Sequence, residues 1–434
     1  MTEKMRLAFK YKLRPTRKQE QAFRNFSGCC RFAYNALLFE EKEQYQDYLD
    51  EIESRRCFSE ALSEEEAKAL CVKPILNQYT FNYALKRLKE EHPFLKECCH
   101  SQVLQQKVMD LYEAFKKFFK NKGGYPKFKK RHSDDGFRYP QGFKVEEDNG
   151  RIFLPKIGYV RYRNSRKIEG LAKNVTVKEE ADGWYVSIQC EFVLNNQITV
   201  LNLNTAVGID MGVKRFLTLS DGNFIESLET KLKPLENKIT LLQRRIKHKV
   251  KGSNNIKKAY EKLALMHKRK ADIRNNFLHQ ASTLLVKNHD LIVIEDLKIK
   301  NMSKSAKGTI TNPGKNVTAK AGLNRSVLNE AWHKFFTYLE YKLKLKGGIL
   351  IKVDPKHTSQ TCPHCGHISK DNRKEQALFK CVKCGYEANA DVNAAQNILR
   401  RAGRARIACQ ANLVGGRQQE PSEAYNNTTI VVWQ

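Results

Sequence analysis

Four cysteines in two matching pairs form the clearest chemical motif of this sequence. Cys362 and Cys365 belong to one CxxCG segment and Cys381 and Cys384 to another, with 15 residues between the pairs. Two such pairs complete a tetrahedral site of four sulfurs, the ligand set that selects zinc. Because the protein itself fills all four positions, the motif predicts one structural Zn²⁺ with no open position for catalysis.

Three carboxylates form a second candidate site. Asp210 and Glu295 each end an apolar strand pattern, and Asp391 opens a helix pattern just after the second cysteine pair. Each has a structural alternative, as a turn residue, a strand-end acid or a helix N-cap. Together, in a very basic protein, they suggest two divalent cations that hold a phosphodiester. Asp296 neighbours Glu295, and because successive strand residues face opposite sides, only one of them can join the site.

Composition narrows the class of protein. The chain has 434 residues, 78 Lys and Arg against 47 Asp and Glu, and a formal net charge of +31. Such a surplus predicts a polyanionic partner, most commonly nucleic acid. No apolar run approaches the roughly 20 residues of a membrane span, and the N-terminus lacks a signal-peptide pattern. The other cysteines are adjacent or scattered, which is typical of a reducing cytosol, so we expect a cytoplasmic protein.

Hydrophobic periodicity predicts the elements that position these residues. A strand at Leu7–Leu13 precedes helices up to about residue 120, the last at Ser101–Asn121. Residues 122–139 interleave Lys and Arg with aromatic side chains, and residues 140–200 alternate as β-strands. The fold class predicted is multidomain α+β.

The second half begins with two strands in residues 207–219 that turn at Met211-Gly212. A helical hairpin follows in residues 230–280, with 15 Lys and Arg against three acids. Such a run can be a solvated helix face, but we favour a nucleic-acid surface because phosphates would neutralise its self-repulsion. The remaining predictions are a buried strand at Leu291–Glu295, a mobile loop at 301–324, a helix at Ser326–Lys346, a strand at Gly348–Val353 and a disordered tail at 410–434.

Nine ordered motifs, spread over most of the chain, resemble those of the TnpB family of transposon-encoded, RNA-guided DNA endonucleases. They are YKLRPTRKQEQAF with GCCRFAYN, SQVLQQKVMDLYEAFKKFF, GYPKFKKR, FRYPQG, VGIDMGVKRFLTLSDG, the basic hairpin ending in RNNFLHQ, IEDLKIKNM, the double cysteine motif and ADVNAAQNI. The sequence departs from the family pattern at Asn389, where relatives often carry an acid.

The resemblance implies a domain architecture and indicates which carboxylates are catalytic. It implies a RuvC-type, ribonuclease-H-like α/β nuclease domain with an inserted zinc ribbon, and an N-terminal wedge β-barrel interrupted by a helical recognition insert. It makes Asp210, Glu295 and Asp391 the catalytic Mg²⁺ ligands, which favours Glu295 over Asp296. The implied boundaries are 1–13 and 122–200 for the wedge, 14–121 for the recognition insert, 201–355 and 386–409 for the nuclease domain, 356–385 for the zinc ribbon and 410–434 for the tail.

The resemblance also places nucleic-acid contacts on the wedge and the recognition insert. The glutamines Gln102, Gln105 and Gln141 would contact the target-flanking motif, since Gln can pair bidentately with adenine. The aromatic and basic stretch would stack bases and hold backbone. The nucleic-acid-binding residues expected are Gln102, Gln105, Tyr125, Lys127, Phe128, Lys129, Arg138, Gln141 and, on the basic hairpin, Arg244 and Arg245.

The function implied is metal-dependent, double-strand cleavage of DNA beside a short motif, guided by an RNA from the transposon end and supporting retention of the transposon. One protein monomer would act with one RNA. Three alternatives remain: a CRISPR type V-like effector of the same chemistry, a non-catalytic RNA-guided DNA-binding regulator, and a transposase that also joins strands. The last ranks low because the sequence shows no HUH pattern with a tyrosine nucleophile.

Overall fold

The computed structural model describes residues 3–58, 63, 65–66, 70–71, 77–120, 122–131, 135–194, 199–201, 205–413 and 430–432. The chain divides into two compact units, Met1–Asn195 and Asn196–Gln434. Within the described ranges, no helix combines the length and the apolar character needed to cross a lipid bilayer.

The N-terminal unit combines one large sheet with helices. Its strands are β1 (Glu3–Arg14), β2 (Gly136–Tyr139), β3 (Lys144–Glu146), β4 (Arg151–Leu154), β5 (Gly158–Tyr162), β6 (Leu171–Glu180) and β7 (Gly183–Leu194), in the sheet order β2-β6-β7-β1-β5-β4-β3. Its helices are α1 (Arg17–Phe58), α2 (Gln78–Glu91), α3 (Phe94–Cys98) and α4 (Ser101–Phe119). The predicted opening strand is therefore confirmed, and so are the long helical segment and the β-rich segment within the residues that the structure describes.

Aromatic side chains join the helices to the sheet in this unit. Phe23 and Phe26 of α1 lie 5.8 and 5.1 Å, between ring centroids, from Phe137 of β2. Phe137 and Tyr139 are 3% and 0% exposed. These two residues of the aromatic and basic stretch 122–139 therefore belong to the hydrophobic core, and the expectation that the stretch as a whole stacks bases is wrong for them.

The C-terminal unit is built on a mixed five-stranded sheet. Its strands are β9 (Val207–Met211), β10 (Arg215–Leu219), β11 (Phe224–Glu226), β12 (Leu291–Glu295) and β13 (Ile349–Val353), in the order β11-β10-β9-β12-β13. Strands β9, β12 and β13 are parallel, whereas β10 is antiparallel to both β9 and β11. The predicted turn after β9 and the central buried strand β12 are confirmed, as is the mixed α+β class.

Helices cover this sheet and extend from it. They are α5 (Glu229–Lys247), α6 (Asn254–Asn288), α7 (Ile299–Met302), α8 (Val317–Glu330), α9 (Trp332–Lys346) and α10 (Ala390–Leu413). Helices α5 and α6 form the predicted basic hairpin, and Ser253 caps α6 by accepting a hydrogen bond from the Ile256 amide. Short strands complete the unit: β8 (Thr199–Leu201) pairs with β16 (Ile430–Val432), and β14 (Leu378–Lys380) pairs with β15 (Glu387–Asn389).

Helix α10 approaches β9 unusually closely because residue 208 is glycine. A Cβ atom on Gly208 would lie 2.2 Å from the carbonyl oxygen of Ala395 and 2.8 Å from the amide nitrogen of Leu399. No side chain fits in that space, so the glycine permits the helix to pack directly on the strand. The contact brings the start of α10 near the end of β9.

Three predictions in this unit need correction. The loop expected at 301–324 contains the end of α7 and the first half of α8. The single helix expected at Ser326–Lys346 is divided at Ala331, whose φ of 54° ends α8 and starts α9. In the segment predicted as a disordered tail, α10 continues to Leu413 and Ile430–Val432 forms β16, while residues 414–429 and 433–434 lie outside the described part of the chain.

Candidate active site and zinc centre

Two of the three predicted carboxylates come from neighbouring parallel strands. Ile209 of β9 pairs with Ile294 of β12, so the next residues, Asp210 and Glu295, lie side by side at the same edge of the sheet. Each lies at the carboxyl end of a buried apolar strand, and the carboxyl ends of parallel strands meet at one edge. The sheet register therefore brings together two acids that are 85 residues apart in sequence.

The third carboxylate comes from the first turn of α10. The Asn389 side chain accepts hydrogen bonds from the backbone amides of Asp391, at 3.0 Å, and Val392, at 3.3 Å. This is the action of a helix N-cap, a position for which asparagine is among the preferred residues. Asn389, the departure from the family pattern, thus fixes where the helix starts and so where Asp391 lies.

Asp210, Glu295 and Asp391 line one cleft of about 370 Å³, as expected from the sequence. Other lining residues come from the end of β9, the turn that follows it and the start of β10, from the segment after β13 and from the segment between the two cysteine pairs. These are Met211, Gly212, Val213, Lys214, Arg215, Pro355, Thr358, Ser359, Arg373 and Gln376.

Burial raises the pKa of two of the acids, and the charges of the other two acids raise the pKa of Asp210 further. The pKa of Asp210 is raised to about 8, first by burial and then by the negative charges of Glu295 and Asp391, with Arg373 opposing the change. Burial also raises the pKa of Glu295, against the effect of a hydrogen bond from Thr358. Burial and neighbouring negative charge disfavour the ionised carboxylates, and a bound cation would stabilise them. Carboxylate oxygens are hard ligands, which Mg²⁺ prefers.

Glu295 and its neighbour Asp296 differ in burial and in their contacts. Glu295 is 8% exposed, whereas the side chain of Asp296 is 46% exposed and pairs with Lys298 at 2.5 Å. The Lys298 ammonium lowers the pKa of Asp296 through this contact. Asp296 is not among the residues that line the cleft. The choice of Glu295 over Asp296, which periodicity left open, agrees with the placement of both side chains.

Two hydrogen bonds to the cleft carboxylates were not expected from the sequence. The Thr358 hydroxyl donates to Glu295 Oε1 at 2.6 Å, and Arg373 Nη2 donates to Asp391 Oδ1 at 3.2 Å. Both donors come from the predicted zinc ribbon, 356–385, so this segment forms part of the cleft wall. A threonine and an arginine near a cysteine motif carry no periodic signal, and only the tertiary contacts reveal their role.

The four cysteines form the predicted group. Their sulfur atoms all lie within 4.8 Å of one another, and the pairs Cys362–Cys384 and Cys365–Cys381 are each 3.6 Å apart. Sulfurs bound tetrahedrally to zinc at about 2.3 Å lie roughly 3.8 Å apart. The amides of Gly366 and Gly385, in the left-handed region at φ of 74° and 75°, close the two tight turns by donating to the Cys362 and Cys381 carbonyls. The group is compatible with a structural zinc ion.

The glutamines predicted to contact bases lie at the surface of the N-terminal unit. Gln105 on α4 and Gln141, in the turn after β2, are exposed, and Gln102 is half-buried. The aromatic residues differ from each other. Phe128 is 47% exposed, whereas the Tyr125 ring packs edge-on against Phe115 and Phe118, at 5.7 and 5.2 Å between centroids.

The predicted basic contacts also differ in their surroundings. Lys127 is exposed, as are Arg244 and Arg245 in the last turn of α5. Lys129 is half-buried, and its backbone amide and carbonyl bind the Asn35 side chain. Arg138 donates to Asp110 at 2.9 Å.

Comparison with known proteins gives three family-model matches. Residues 187–306 match a model described as a probable transposase, residues 332–398 match a Cas12f1-like TNB domain, and residues 1–49 match a helix-turn-helix domain. In the described part of that last range, the structure has one strand, β1, followed by the first part of α1.

Full-length relatives agree with these matches. The chain is 43% identical to the putative RNA-guided DNA endonuclease InsQ of Escherichia coli K12, over 97% of this chain and 98% of the relative. It is 31% identical to a putative RNA-guided DNA endonuclease of Streptomyces pristinaespiralis, over 94% and 92%. A solved Cas12f1–sgRNA–target DNA complex aligns with a TM-score of 0.45 at 15% identity, over 92% of this chain and 99% of that one. The chain belongs to the TnpB/IS605 family.

Proposed function

We propose that this protein is an RNA-guided, Mg²⁺-dependent endonuclease that makes double-strand breaks in DNA beside a short flanking motif. The observation that carries the proposal is the convergence of Asp210, Glu295 and Asp391 in one cleft, in a chain whose full-length relatives are named putative RNA-guided DNA endonucleases.

Under this proposal the C-terminal unit is a RuvC-like, ribonuclease-H-like nuclease domain with an inserted zinc ribbon. The three parallel strands with an antiparallel edge, and the helix α10 packed on β9, support this architecture. The wedge is assigned to 1–13 and 122–200, the recognition insert to 14–121, the nuclease domain to 201–355 and 386–409 and the zinc ribbon to 356–385. The seven-stranded sheet and the helices α1 to α4 of the N-terminal unit support the first two assignments.

Asp210, Glu295 and Asp391 would hold two Mg²⁺ ions in this cleft. When bound, the ions would supply Lewis-acid stabilisation of the attacking and leaving oxygens of the phosphodiester. The chain's own residues prepare the site: the strand register places two of the acids together, Asn389 sets the start of the helix that carries the third, and Arg373 offsets part of the negative charge.

The net charge of +31 fits a protein that holds both an RNA and a DNA backbone. Exposed Arg244 and Arg245 on the hairpin, and exposed Gln105, Gln141, Lys127 and Phe128 on the N-terminal unit, are the proposed contacts that remain available at the surface. Sequence recognition would come mainly from pairing between the guide and the target strand.

A non-catalytic RNA-guided regulator is the main alternative. It explains the basic surface and the relationship to the family, but it leaves three acids held together in a cleft without a purpose. A CRISPR type V-like effector would use the same chemistry and would differ in having a repeat array beside its gene.

The test is to express the protein with its native flanking DNA, purify it in high salt, and sequence the RNA that remains bound. We expect one discrete RNA with a constant scaffold and an end that matches adjacent DNA, and Mg²⁺-dependent cleavage of a matching target. The Asp210→Ala protein should bind the same RNA and leave the target intact. Random host RNA fragments, or cleavage by Asp210→Ala, would contradict the proposal.

A further inference from the structure

Thr358 occupies an unusual position for a residue of the zinc-ribbon segment. It is 4% exposed, and its hydroxyl donates a 2.6 Å hydrogen bond to Oε1 of Glu295, 63 residues earlier in the chain. A hydrogen bond to an ionised carboxylate is roughly twice as strong as one between neutral groups. The contact therefore restrains which way the Glu295 carboxylate points.

The backbone around Thr358 is itself held by α10. Asn397 donates to the carbonyls of Thr358, at 2.9 Å, and Thr361, at 2.7 Å. Asn393 donates to the Thr361 carbonyl at 3.2 Å. Both asparagines are buried, at 5% and 0% exposure. Side-chain amides buried this completely hold the turn at 358–361 in a fixed place relative to the helix.

The same helix carries Asp391 in its first turn. One element thus places one carboxylate directly and a second one indirectly, through Asn397 and Thr358. Partners of this kind orient metal ligands, and their loss typically weakens metal affinity by about 10- to 100-fold.

We propose that Thr358 is a positioning residue that orients Glu295 for divalent-metal binding, and that Asn397 couples this orientation to the helix of Asp391. The inference rests on the proposed function, since it assumes that the cleft binds a divalent cation. It adds to that function a contribution of the zinc-ribbon segment to metal affinity, distinct from the four cysteines.

The test uses Mn²⁺ alone as the probe, with the full-length chain stripped of nucleic acid, and measures Mn²⁺ binding to the folded protein by isothermal titration calorimetry. Signal that persists in Asp210→Ala is subtracted as binding elsewhere. Thr358→Val keeps the shape and removes the hydroxyl, and we expect at least about a tenfold higher half-saturating Mn²⁺ concentration. Thr358→Ser keeps the hydroxyl and should stay within about twofold of wild type. Thr337→Val, the same type of change at an exposed site on α9, is the matched control.

A second comparison separates orientation from general stability. In a Glu295→Gln background, Thr358→Val should change Mn²⁺ half-saturation little, because the carboxylate it orients is gone. Thr358→Ala carries the same expectations if the valine protein does not fold. Wild-type affinity in Thr358→Val, or equal loss in the serine and valine proteins, would overturn the inference. Wild-type protein that shows no Mn²⁺ binding dependent on Asp210 would overturn the proposed metal site, and the inference with it.

Discussion

The raised pKa of Asp210 predicts that the acid weakens the fold when no metal is bound. The perturbation that tests this is Asp210→Asn, which keeps the size of the side chain and removes its charge. The folded-state pKa of about 8 exceeds the unfolded value of about 3.9. The folded protein therefore binds the proton more tightly, and the stability that it gains below pH 4 is lost as the pH rises towards 8.

The loss of folding free energy can be calculated from the pKa shift of Asp210. Each pKa unit corresponds to about 1.4 kcal/mol, so a shift of about four units corresponds to roughly 5.5 kcal/mol at pH 8 and above. Asp210 is half-buried and lines an open cleft, so we halve that figure for screening by water and expect a penalty of about 2–3 kcal/mol. In a unit of this size, that penalty corresponds to roughly 5–10 °C in Tm.

Thermal unfolding in the presence of a chelator, at pH 5 and pH 8, provides the assay. Asp210→Asn should unfold several degrees above wild type at pH 8, and the gap should narrow at pH 5. In millimolar Mg²⁺ the order should reverse, because only the wild-type cleft gains metal-binding energy. Asp272→Asn, at an exposed position on the hairpin, controls for loss of one negative charge. An Asp210→Asn protein no more stable than wild type at pH 8 in chelator would refute the reasoning.

Three further predictions concern other parts of the C-terminal unit. Cys384→Ser should reduce bound zinc from about one ion per chain to none by elemental analysis, and it should weaken Mn²⁺ binding as well; full zinc content would contradict the four-cysteine assignment. Gly208→Ala places a Cβ 2.2 Å from the Ala395 carbonyl, and we expect calorimetry to show a loss of roughly 3 kcal/mol or more; an unchanged Tm would show that α10 does not pack against β9 as described. Arg244→Ala with Arg245→Ala should weaken RNA binding and reduce the slope of log K against log salt by about two, whereas an unchanged slope would place the RNA elsewhere.

The sequence predicted the centre of the C-terminal unit well because its signals are local. Strands β9 and β12 are short apolar runs with an acid at the last or the last-but-one position, and that pattern by itself placed Asp210 and Glu295 near strand ends. The cysteine spacing likewise predicted a group whose geometry needs few long-range contacts. Neither pattern could decide between Glu295 and Asp296, since that choice depends on which face of β12 meets the cleft.

What the sequence could not predict depends on packing between distant segments. Thr358 and Arg373 reach the cleft only because α10 and residues 356–385 fold against the end of the sheet. Phe137 has the same chemistry whether it stacks on a base or fills a core, and its contacts with α1 decide for the core. Ala331 adopts a left-handed φ and divides the helix. Alanine has the highest helix propensity, so propensity predicts a continuous helix at this position.

A matched pair of adjacent acids, Glu295 and Asp296, tests most directly whether the cleft cuts DNA. The protein, with its co-purified RNA, is incubated with Mg²⁺ and a supercoiled plasmid that carries the matching target, and linear product is measured for wild type, Glu295→Ala and Asp296→Ala. We predict that wild type and Asp296→Ala linearise the plasmid at similar rates, while Glu295→Ala binds the same target and leaves it uncut. Cleavage by Glu295→Ala at the wild-type rate, or loss of cleavage in Asp296→Ala alone, would contradict the account.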